Sequence, residues 1–583
     1  MMTRNAHELN LRRQLGGRNA ARLCTKLAAA VLAVSVGASR AEAVYDVVVY
    51  GSTPAALTAA IEAGRHGKSA VVVCPETRIG GLTTGGLGAT DIGNKAAFGG
   101  QALQFYKDVA TYYGNPDHLV VQFPNEKKRK ATSAGILKSV SKWTFEPSVA
   151  LSILEGWEKK HGLVIHRNEW LDRGKGGVEK KDGRIVSFKT LSGKVYRGKV
   201  FIDATYEGDL MAAAGVSYHV GREANAVYGE TLNGNEPGYA KYHQLHKGID
   251  PYVVPGDPKS GLLPCVEPYD PHFRPGDGDR RVQAYCFRMC LTDNPSNRIP
   301  FKKPEGYDEK DYELMFRHLA LGPLDNNGMP WINSKMPNRK TDTNNRTGFS
   351  TDFIGQNWNW PEASYAEREK ILSAHLKYQQ GLMWTLANHP RVPEKIRREV
   401  SRWGTCKDEF KDGLGDGWQK QLYVREARRM VGEYVMTEAN CRGTIVAPRP
   451  IAMGAYTMDS HHVRRYVTAE GHVLNEGDVE VGTDGKGRRF PPYPIDYGAV
   501  VPKRAECANL IVPVCISASH IAFGSIRMEP VFFALGQAAG MAASIAVADG
   551  VAVQDVPYER LKAELDAAGQ VLSLPARTRA GGM

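Results

Sequence analysis

Residues 45–74 read YDVVVYGSTPAALTAAIEAGRHGKSAVVVC, and their pattern sets the architecture of the chain. Residues 45–50 are rich in β-branched side chains, as is typical of a buried parallel strand. After a glycine turn, residues 57–66 predict a helix of small side chains, and residues 69–74 predict a second buried strand. This order is that of a βαβ unit, whose helix N-terminus is suited to bind the pyrophosphate of a dinucleotide.

The glycine turn matches the dinucleotide fingerprint G-x-G-x-x-G only in part. Gly51 holds the first position, Thr53 replaces the second glycine, and Ala56 replaces the third with another small residue. Because many such turns bind no nucleotide, a purely structural unit stays an alternative. If a nucleotide binds, we expect it to contact Gly51, Ser52, Thr53, Pro54, Ala55 and Ala56.

Glu76 is the acid that we expect to hold a ribose hydroxyl. It follows the first glycine of the turn at about the spacing that this fingerprint requires, roughly 20 residues or more. The usual acid would end the second strand, where Cys74 stands. A solvated carboxylate in a turn is the alternative interpretation.

A second glycine cluster follows at residues 79–88, with the sequence IGGLTTGGLG. Its glycines are incompatible with the interior of a stable helix or strand, and a flexible surface loop is one interpretation. The leucines between the glycine pairs favour a buried, shaped segment whose backbone can approach a flat ring system. The threonine hydroxyls could bind the ring edge or the phosphates. The predicted contacts are Gly80, Gly81, Leu82, Thr83, Thr84, Gly85, Gly86 and Leu87.

Five segments together resemble the FAD-dependent oxidoreductases with the glutathione-reductase type of flavin fold. They are VVVYGSTPAALTAA (47–60), GGLTTGGLGATDIGN (80–94), FIDATYEGDLMAAAGV (201–216), VQAYCFRMCLTDNP (282–295) and SIRMEPVFFALGQAAG (525–540). The chain is most similar to a secreted bacterial group of this family, some of whose members carry an unreliable xanthan-lyase label. The resemblance implies an α/β fold with a Rossmann-like FAD-binding domain, a parallel sheet with helices, and a large inserted α+β substrate region.

The resemblance also implies FAD as the cofactor and further contacts with it. The helix predicted at residues 531–548 would point its N-terminus at the flavin pyrimidine, and Arg527 would add positive charge there. This helix is long enough to raise the question of a membrane span, but its Ala and Gly content favours a core helix. Residues 207–209 would cap the helix that follows them, and an acidic turn without a ligand is the alternative there. The implied cofactor contacts are Asp203, Ala204, Thr205, Ser525, Met528, Glu529, Gly536 and Gln537.

Flavin chemistry needs a side chain that handles the proton accompanying the hydride. We expect His520 to take this role, together with the charge of Arg527, and His461 and His462 come next. A histidine in a structural loop is the alternative for each. No metal site is predicted, because two adjacent histidines do not converge on one ion.

The predicted domains are 44–209 and 503–583 for FAD binding, with 210–502 as the inserted substrate region. Within the insert, helices are predicted at residues 365–387 and 424–436. Three arginines of the second helix, at 425, 428 and 429, indicate either a charged surface or a face toward substrate or flavin. Trp358, Trp360 and Tyr365 could stack on a sugar or belong to the core.

The N-terminal residues 1–43 predict a signal peptide and therefore export. A basic region precedes the apolar run LAAAVLAVSVGAS at 27–39, and Ala41–Ala43 form an A-x-A cleavage pattern. An anchor helix is the alternative, and Arg12-Arg13 is a poor match to a twin-arginine signal. Removal of this basic leader lowers the net charge of +12, and the remaining charges of both signs are interspersed, so no nucleic-acid partner is expected.

Nine cysteines are present, at 24, 74, 265, 286, 290, 406, 441, 507 and 515, and none forms a CxxC motif. The pattern therefore lacks the local signature of an iron–sulfur cluster or a zinc ribbon. Cys286 and Cys290 could share one face of a helix or of a strand. An exported protein can form disulfides, but the spacing fixes no pairing.

The function that these features favour is an exported FAD-dependent oxidoreductase. It would oxidise or reduce a small organic molecule, with a carbohydrate derivative as one class, by hydride transfer at flavin N5. The sequence names neither the electron acceptor nor the oligomeric state. A polysaccharide lyase and a non-catalytic flavin-binding protein are the alternatives.

Overall fold

The computed structural model describes residues 43–119, 143–240, 243–322 and 331–574. The predicted leader lies outside these residues except for Ala43. Within them, the strands are β1 Val44–Tyr50, β2 Ala70–Val73, β3 Val164–His166, β4 Val178–Lys181, β5 Arg184–Lys189, β6 Val195–Asp203, β7 Tyr218–Val220, β8 Met289–Thr292, β9 Arg298–Pro300, β10 Trp331–Met336, β11 Lys340–Asn345, β12 Gly404–Cys406, β13 Arg428–Met430, β14 Pro450–Gly454, β15 Met458–Ser460, β16 Arg464–Val467, β17 Val473–Glu476, β18 Val479–Val481, β19 Tyr493–Asp496 and β20 Leu510–Ile511. The α-helices are α1 Pro54–Arg65, α2 Gly81–Thr84, α3 Gly100–Gly114, α4 Pro147–His161, α5 Asp209–Ala213, α6 Asn225–Tyr228, α7 Glu313–Leu321, α8 Tyr365–Asn388, α9 Glu394–Val400, α10 Glu438–Cys441, α11 His520–Ile526, α12 Glu529–Asp549 and α13 Tyr558–Ala567.

A seven-stranded sheet contains the predicted βαβ unit. Its order is β3-β2-β1-β6-β5-β4, and β20 joins it beside β6. Strand β1 lies parallel to β2 and to β6, with Val47 opposite Ala70 on one side and Val200 on the other. The carboxyl ends of β1, β2 and β6 therefore meet at one edge, which is where an open α/β sheet binds its ligand.

Helices α1 and α12 cross at van der Waals distance over this sheet. A Cβ at Gly536 would lie 2.4 Å from Ala55 Cα, and one at Gly540 would lie 2.3 Å from Ala59 O. Helix α12 is long and apolar enough to span a membrane, but 89% of its apolar 18-residue stretch is buried inside the protein. It is therefore a core helix, as its composition predicts, and it also packs on α3 and β14.

Residues 210–502 contain an antiparallel sheet of order β10-β11-β8-β12-β9, several two-stranded ribbons and the long helix α8. This mixture confirms the α/β class with an α+β insert. The helix predicted at residues 365–387 is confirmed as α8, which a capping box at Ser364 and Glu367 starts. Strand β20 pairs with β6 over Leu510–Ile511 and so adds the C-terminal part of the chain to the FAD-binding sheet. The three domain boundaries stay predictions.

The helix predicted at residues 424–436 is wrong, because its centre is the strand β13. Its arginines are buried rather than on a charged surface, and each pairs with a carboxylate distant in sequence. Arg425 lies 3.0 Å from Asp352, and Arg428 lies 2.8 Å from Asp209. Partners that far away leave no trace in a local pattern, so helical spacing of the apolar residues was misleading.

Candidate active site

Gly51 directly follows β1 and lies against Ala204, the residue that directly follows β6. Its φ of +138° is strained for any side chain, and a Cβ there would lie 2.4 Å from Ala204 O. Helix α1 begins at Pro54 without a side-chain cap, because Thr53 instead donates its hydroxyl proton to Ala204 O at 2.7 Å. A helix start of this kind presents positive potential toward the sheet edge.

Glu76 lies beside this helix start and lines a cavity of about 590 Å³. Glu76 as a whole is partly exposed, but its Oε2 atom is buried and has no hydrogen-bond partner among the described residues. Burial raises the pKa of Glu76 to about 7, against a hydrogen bond from Ser52 that lowers it. A buried carboxylate oxygen without a partner is costly, which indicates that a polar ligand completes this site.

The second glycine cluster forms the opposite wall of the same cavity, where Gly81 and Gly85 line it. Residues Gly81–Thr84 form the single helical turn α2, which is bounded by Gly80 and Gly85 and has no longer helix interior. Gly86 has φ of +126°, and a Cβ there would lie 2.2 Å from Arg288 O. The missing side chains of these glycines therefore let neighbouring groups pack directly against the backbone of the cluster.

The threonine hydroxyls of the cluster bind protein groups. Thr83 donates to Glu529 Oε2 at 2.6 Å, and Thr84 donates to Ile79 O at 2.6 Å. Tyr206 donates to the other oxygen of Glu529 at 2.7 Å and accepts the Leu82 N–H at 2.9 Å. The start of α12 is thereby tied to the second glycine cluster.

The remaining residues of the second glycine cluster are buried. Gly80 donates its N–H to Ser52 O at 2.6 Å, which joins the two glycine segments. Leu87 is 3% exposed and belongs to the main core. The buried, shaped segment expected from the leucines is thus present.

Both carboxylate oxygens of Asp203 accept hydrogen bonds from other groups of the protein. Its Oδ1 accepts from Thr205 Oγ1 at 2.7 Å, and its Oδ2 accepts from the Met211 N–H at 2.8 Å. The expectation that residues 207–209 cap α5 is wrong, because Asp203 reaches its first turn and Gly208 at the helix start provides no cap. Thr205 borders the cavity.

The C-terminal residues predicted to contact the cofactor divide into two groups. Met528 and Glu529 stand at the start of α12, close to the second glycine cluster. Gly536 and Gln537 lie further along the helix, at the crossing with α1, where Gln537 accepts the Gln101 N–H at 2.8 Å. Ser525 donates to Tyr456 O at 2.7 Å.

His520 is buried with both ring nitrogens in contact with protein groups. Its Nδ1 lies 2.8 Å from Glu426 Oε2, and its Nε2 lies 3.1 Å from Ser460 Oγ. His461 has a similar neighbour in Asp352, at 2.7 Å. His462 lies 2.6 Å from the His243 carbonyl through Nε2.

Tyr423 is a residue that the sequence analysis missed. The guanidinium carbons of Arg288, Arg425 and Arg527 lie 5.7, 4.5 and 5.7 Å from the centre of its ring. Arg527 also donates to the Tyr423 hydroxyl at 2.7 Å. Its chain neighbour Leu422 lines the cavity, and Tyr423 itself is buried. It lies just ahead of the segment misread as a helix, and no local signal marks it.

Aromatic side chains of the insert close another part of the cavity. Trp360 and Tyr365 line it, and Trp360 donates to Glu207 Oε1 at 3.2 Å. Trp358 donates to Val463 O at 2.9 Å instead. The tryptophans and the tyrosine predicted as one group are thus divided between the cavity and the core.

A comparison with known protein families identifies the family of the chain. The family model described as FAD dependent oxidoreductase matches residues 46–565, nearly the whole chain. The chain belongs to this family. It is therefore an oxidoreductase that uses FAD, which confirms the resemblance of the five sequence segments.

Solved flavoenzyme structures match this FAD oxidoreductase over limited parts. L-amino acid deaminase from Proteus vulgaris is 16% identical, with 31% of this chain and 53% of that chain covered and a TM-score of 0.21. A flavin-containing monooxygenase from Stenotrophomonas maltophilia is 16% identical, with 31% and 42% covered and a TM-score of 0.18. Bacillithiol disulfide reductase from Staphylococcus aureus is 16% identical, with 27% and 38% covered and a TM-score of 0.17. No curated protein matches the chain significantly.

The residues around the cavity of this FAD oxidoreductase fit the cofactor. The uncapped start of α1 and the close approach at Gly51 suit a pyrophosphate, and the unpartnered Glu76 Oε2 suits a ribose hydroxyl. The backbone wall at Gly81 and Gly85 leaves room for a flat ring. These assignments come from chemistry and shape, and individual cofactor contacts stay predictions.

Proposed function

We propose that this FAD oxidoreductase is an exported enzyme that transfers a hydride between a small organic molecule and flavin N5. Carbohydrate derivatives are the first substrate class to test, because aromatic residues of the insert border the cavity. The observation that carries the proposal is the continuity of one cavity from Glu76 to the second glycine cluster and the insert. Bound FAD supplies the acceptance of two electrons and their later release to a second substrate.

The chain's own contribution begins with binding and orientation. The start of α1 and Gly51 hold the pyrophosphate end, and Glu76 holds the ribose. The carboxyl group of Glu529 bonds to Tyr206 and Thr83 and so fixes the second glycine cluster against α12. With the ring wall held in this way, a substrate can meet the flavin in a defined orientation.

Two side chains are candidates for the group that takes or gives the proton accompanying the hydride. We propose His520, oriented by Glu426, as the residue that takes or gives it, with Arg527 adding positive charge. Tyr423 is the second candidate, because its hydroxyl accepts from Arg527 while its chain neighbour lines the cavity. The variants His520→Asn and Tyr423→Phe separate them: loss of kcat and of its pH dependence in only one variant identifies the proton carrier.

The function is tested by the visible absorbance of the purified full chain before and after acid precipitation. We expect a yellow protein whose absorbance bleaches anaerobically with a substrate and returns when an electron acceptor is added. A folded, colourless protein that takes up no FAD in calorimetry would overturn the assignment. A yellow protein whose absorbance responds to no donor and no acceptor would instead support the non-catalytic alternative.

Export is tested separately by the N-terminal sequence of the mature protein. We expect the protein outside the cytoplasm to begin at Val44, after cleavage of residues 1–43. An intact N-terminus on a protein found only in the cytoplasm would contradict export without affecting the FAD assignment.

A further inference from the structure

Two buried cysteines face each other across strands β8 and β12. These strands are antiparallel, with Gly404 opposite Thr292 and Thr405 opposite Leu291. Continuing this register by one residue places Cys406 opposite Cys290. Their Sγ atoms lie 3.8 Å apart, and the residues are 0% and 1% exposed. Side chains directly opposite on antiparallel strands are about 4.5–5.5 Å apart at Cβ, so a small adjustment reaches disulfide distance.

The surroundings give the two thiols little other stabilisation. Met336 and Phe410 pack with them in one small apolar cluster. Within the described part of the chain, the one backbone acceptor in contact with the pair is the Cys290 carbonyl, at 3.5 Å from Cys406 Sγ. A thiol is a weak hydrogen-bond donor, so a covalent bond would replace two poorly bonded S–H groups. The Lys340–Glu409 ion pair, at 2.8 Å, also acts on Cys290, where Glu409 raises and Lys340 lowers the pKa of the thiol.

We propose that Cys290 and Cys406 form an intramolecular disulfide that joins β8 to β12. One cysteine thiolate attacks an external disulfide, of a small molecule or a protein, and forms a mixed disulfide while one thiol leaves. The second cysteine attacks the mixed disulfide and releases the other thiol. The cysteine pair loses two electrons and two protons, and the external disulfide is reduced to two thiols.

The closed structure protects both cysteines from this exchange. Burial raises the pKa of the Cys290 thiol well above its ordinary range, so little of the reactive thiolate exists while the strands are docked. The exchange therefore takes place during folding, before β12 docks, or during local opening of the two strands. Once formed, the bond is shielded from reductants by the same burial.

The bond would act on the support of the second glycine cluster. Arg288 immediately precedes β8, and its carbonyl lies 2.2 Å from where a Gly86 Cβ would stand. The Sδ atom of Met336, which packs with the cysteine pair, lies 2.1 Å from where a Gly88 Cβ would stand. The disulfide thus fixes the strand that carries the outer side of this backbone wall. The inference is independent of the substrate and of the hydride-transfer proposal.

The test uses the purified full-length holoprotein and excess oxidised glutathione, in urea just below the unfolding midpoint. The sample is quenched with acid, transferred to neutral denaturant that contains N-ethylmaleimide to label free thiols, and digested for peptide mass spectrometry. We expect the peptides of Cys290 and Cys406 to be joined, unlabelled, and lighter than the two free peptides by two hydrogen atoms. After reduction, both should take the label.

Labelling of both cysteines before reduction, or a bond from either to another cysteine, would overturn the proposal. Cys441 is the internal control: it is equally buried, contacts the Ala522 carbonyl, and should be labelled throughout. The urea midpoint of the oxidised protein should exceed that of the reduced protein, and this shift should vanish in Cys290→Ala/Cys406→Ala while persisting in Cys441→Ala. If a variant does not fold, the peptide masses of the unsubstituted protein decide alone.

Discussion

The addition of one methyl group at Gly51 should sharply reduce the amount of cofactor that the protein binds. In Gly51→Ala, the new Cβ would meet Ala204 O at 2.4 Å with φ at +138°. We expect the connection after β1 to shift, the flavin content to fall sharply, and the free energy of unfolding to drop by about 1–3 kcal/mol. The ratio of flavin to protein absorbance measures the first effect, and urea unfolding measures the second.

The matched control for this substitution is Gly64→Ala, near the other end of α1. A Cβ there meets nothing within 4 Å, so flavin content and stability should be retained. Equal flavin content in both variants would show that Gly51 is not next to the cofactor.

Glu529 should give the protein a pH-dependent stability. Burial raises its pKa to about 7, while the unfolded chain releases this proton near the ordinary value of 4.5. Between these pH values the native state holds a proton that the unfolded state has lost, so stability falls as pH rises through this window. Glu529→Gln, an isostere of the protonated acid, should flatten this fall by roughly 2–3 kcal/mol. Urea unfolding at several pH values measures the slope, and an unchanged slope would contradict the prediction.

Glu559→Gln serves as the control for this pH experiment, because Glu559 is exposed on α13 and its charge stays in water.

Single residues differ in how much of their role can be predicted from the sequence. Glu76 could be picked out because it stands at a set distance from a glycine turn. The hydroxyl of Thr83 could not be assigned, because its acceptor Glu529 is 446 residues away.

At the scale of the element, the crossing of α1 and α12 has no spare volume. Gly540→Ala would put a Cβ 2.3 Å from Ala59 O, so the helices must move apart. We expect a loss of about 1–3 kcal/mol in the free energy of unfolding and weaker flavin retention, because α1 carries the pyrophosphate end. Thermal unfolding followed by flavin fluorescence reports both effects.

Gly156→Ala in α4 is the corresponding control in a helix. A Cβ at Gly156 meets nothing within 4 Å, and alanine is the better helix former, so stability should rise by up to about 1 kcal/mol. A similar destabilisation in both variants would mean that the crossing tolerates a wider spacing.

Elements whose signals are local were predicted well. The β1–α1–β2 unit and α8 follow from runs of apolar residues with one clear period, and the structure places them within a few residues of the prediction. The prediction for residues 424–436 failed because its three arginines pair with three buried carboxylates from other parts of the chain, Asp352, Asp209 and Glu223. Sequence periodicity assumes that charged side chains face water, and here that assumption does not hold.

At the scale of the whole molecule, Asp209 joins the insert to the FAD-binding sheet. Arg368 and Arg428 from the insert lie 2.6 and 2.8 Å from its carboxylate, and Arg173 lies 3.0 Å away. Burial alone would raise the pKa of Asp209, but the three arginines hold it well below its ordinary value. Asp209→Asn would leave buried guanidinium groups without this charge, at a cost of about 3–5 kcal/mol. The urea midpoint measures it.

Asp566→Asn is the control for this ion-pair network. Asp566 pairs with Lys562 on the exposed surface of α13, and loss of such a pair changes stability little because solvent screens both charges. If Asp209→Asn unfolds at the same urea concentration as this control, the insert and the sheet do not depend on the network.

The meeting of α1 with α12 has a consequence for biosynthesis. Thr58 donates to the Phe533 carbonyl at 3.0 Å, although 475 residues separate the two in the chain. The chain must therefore be synthesised past α12, which ends at Asp549, before α1 and α12 can close the dinucleotide cleft. We therefore expect flavin capture to follow the synthesis of α12, and a nascent chain that stalls before residue 529 to expose an unfinished cleft to proteases.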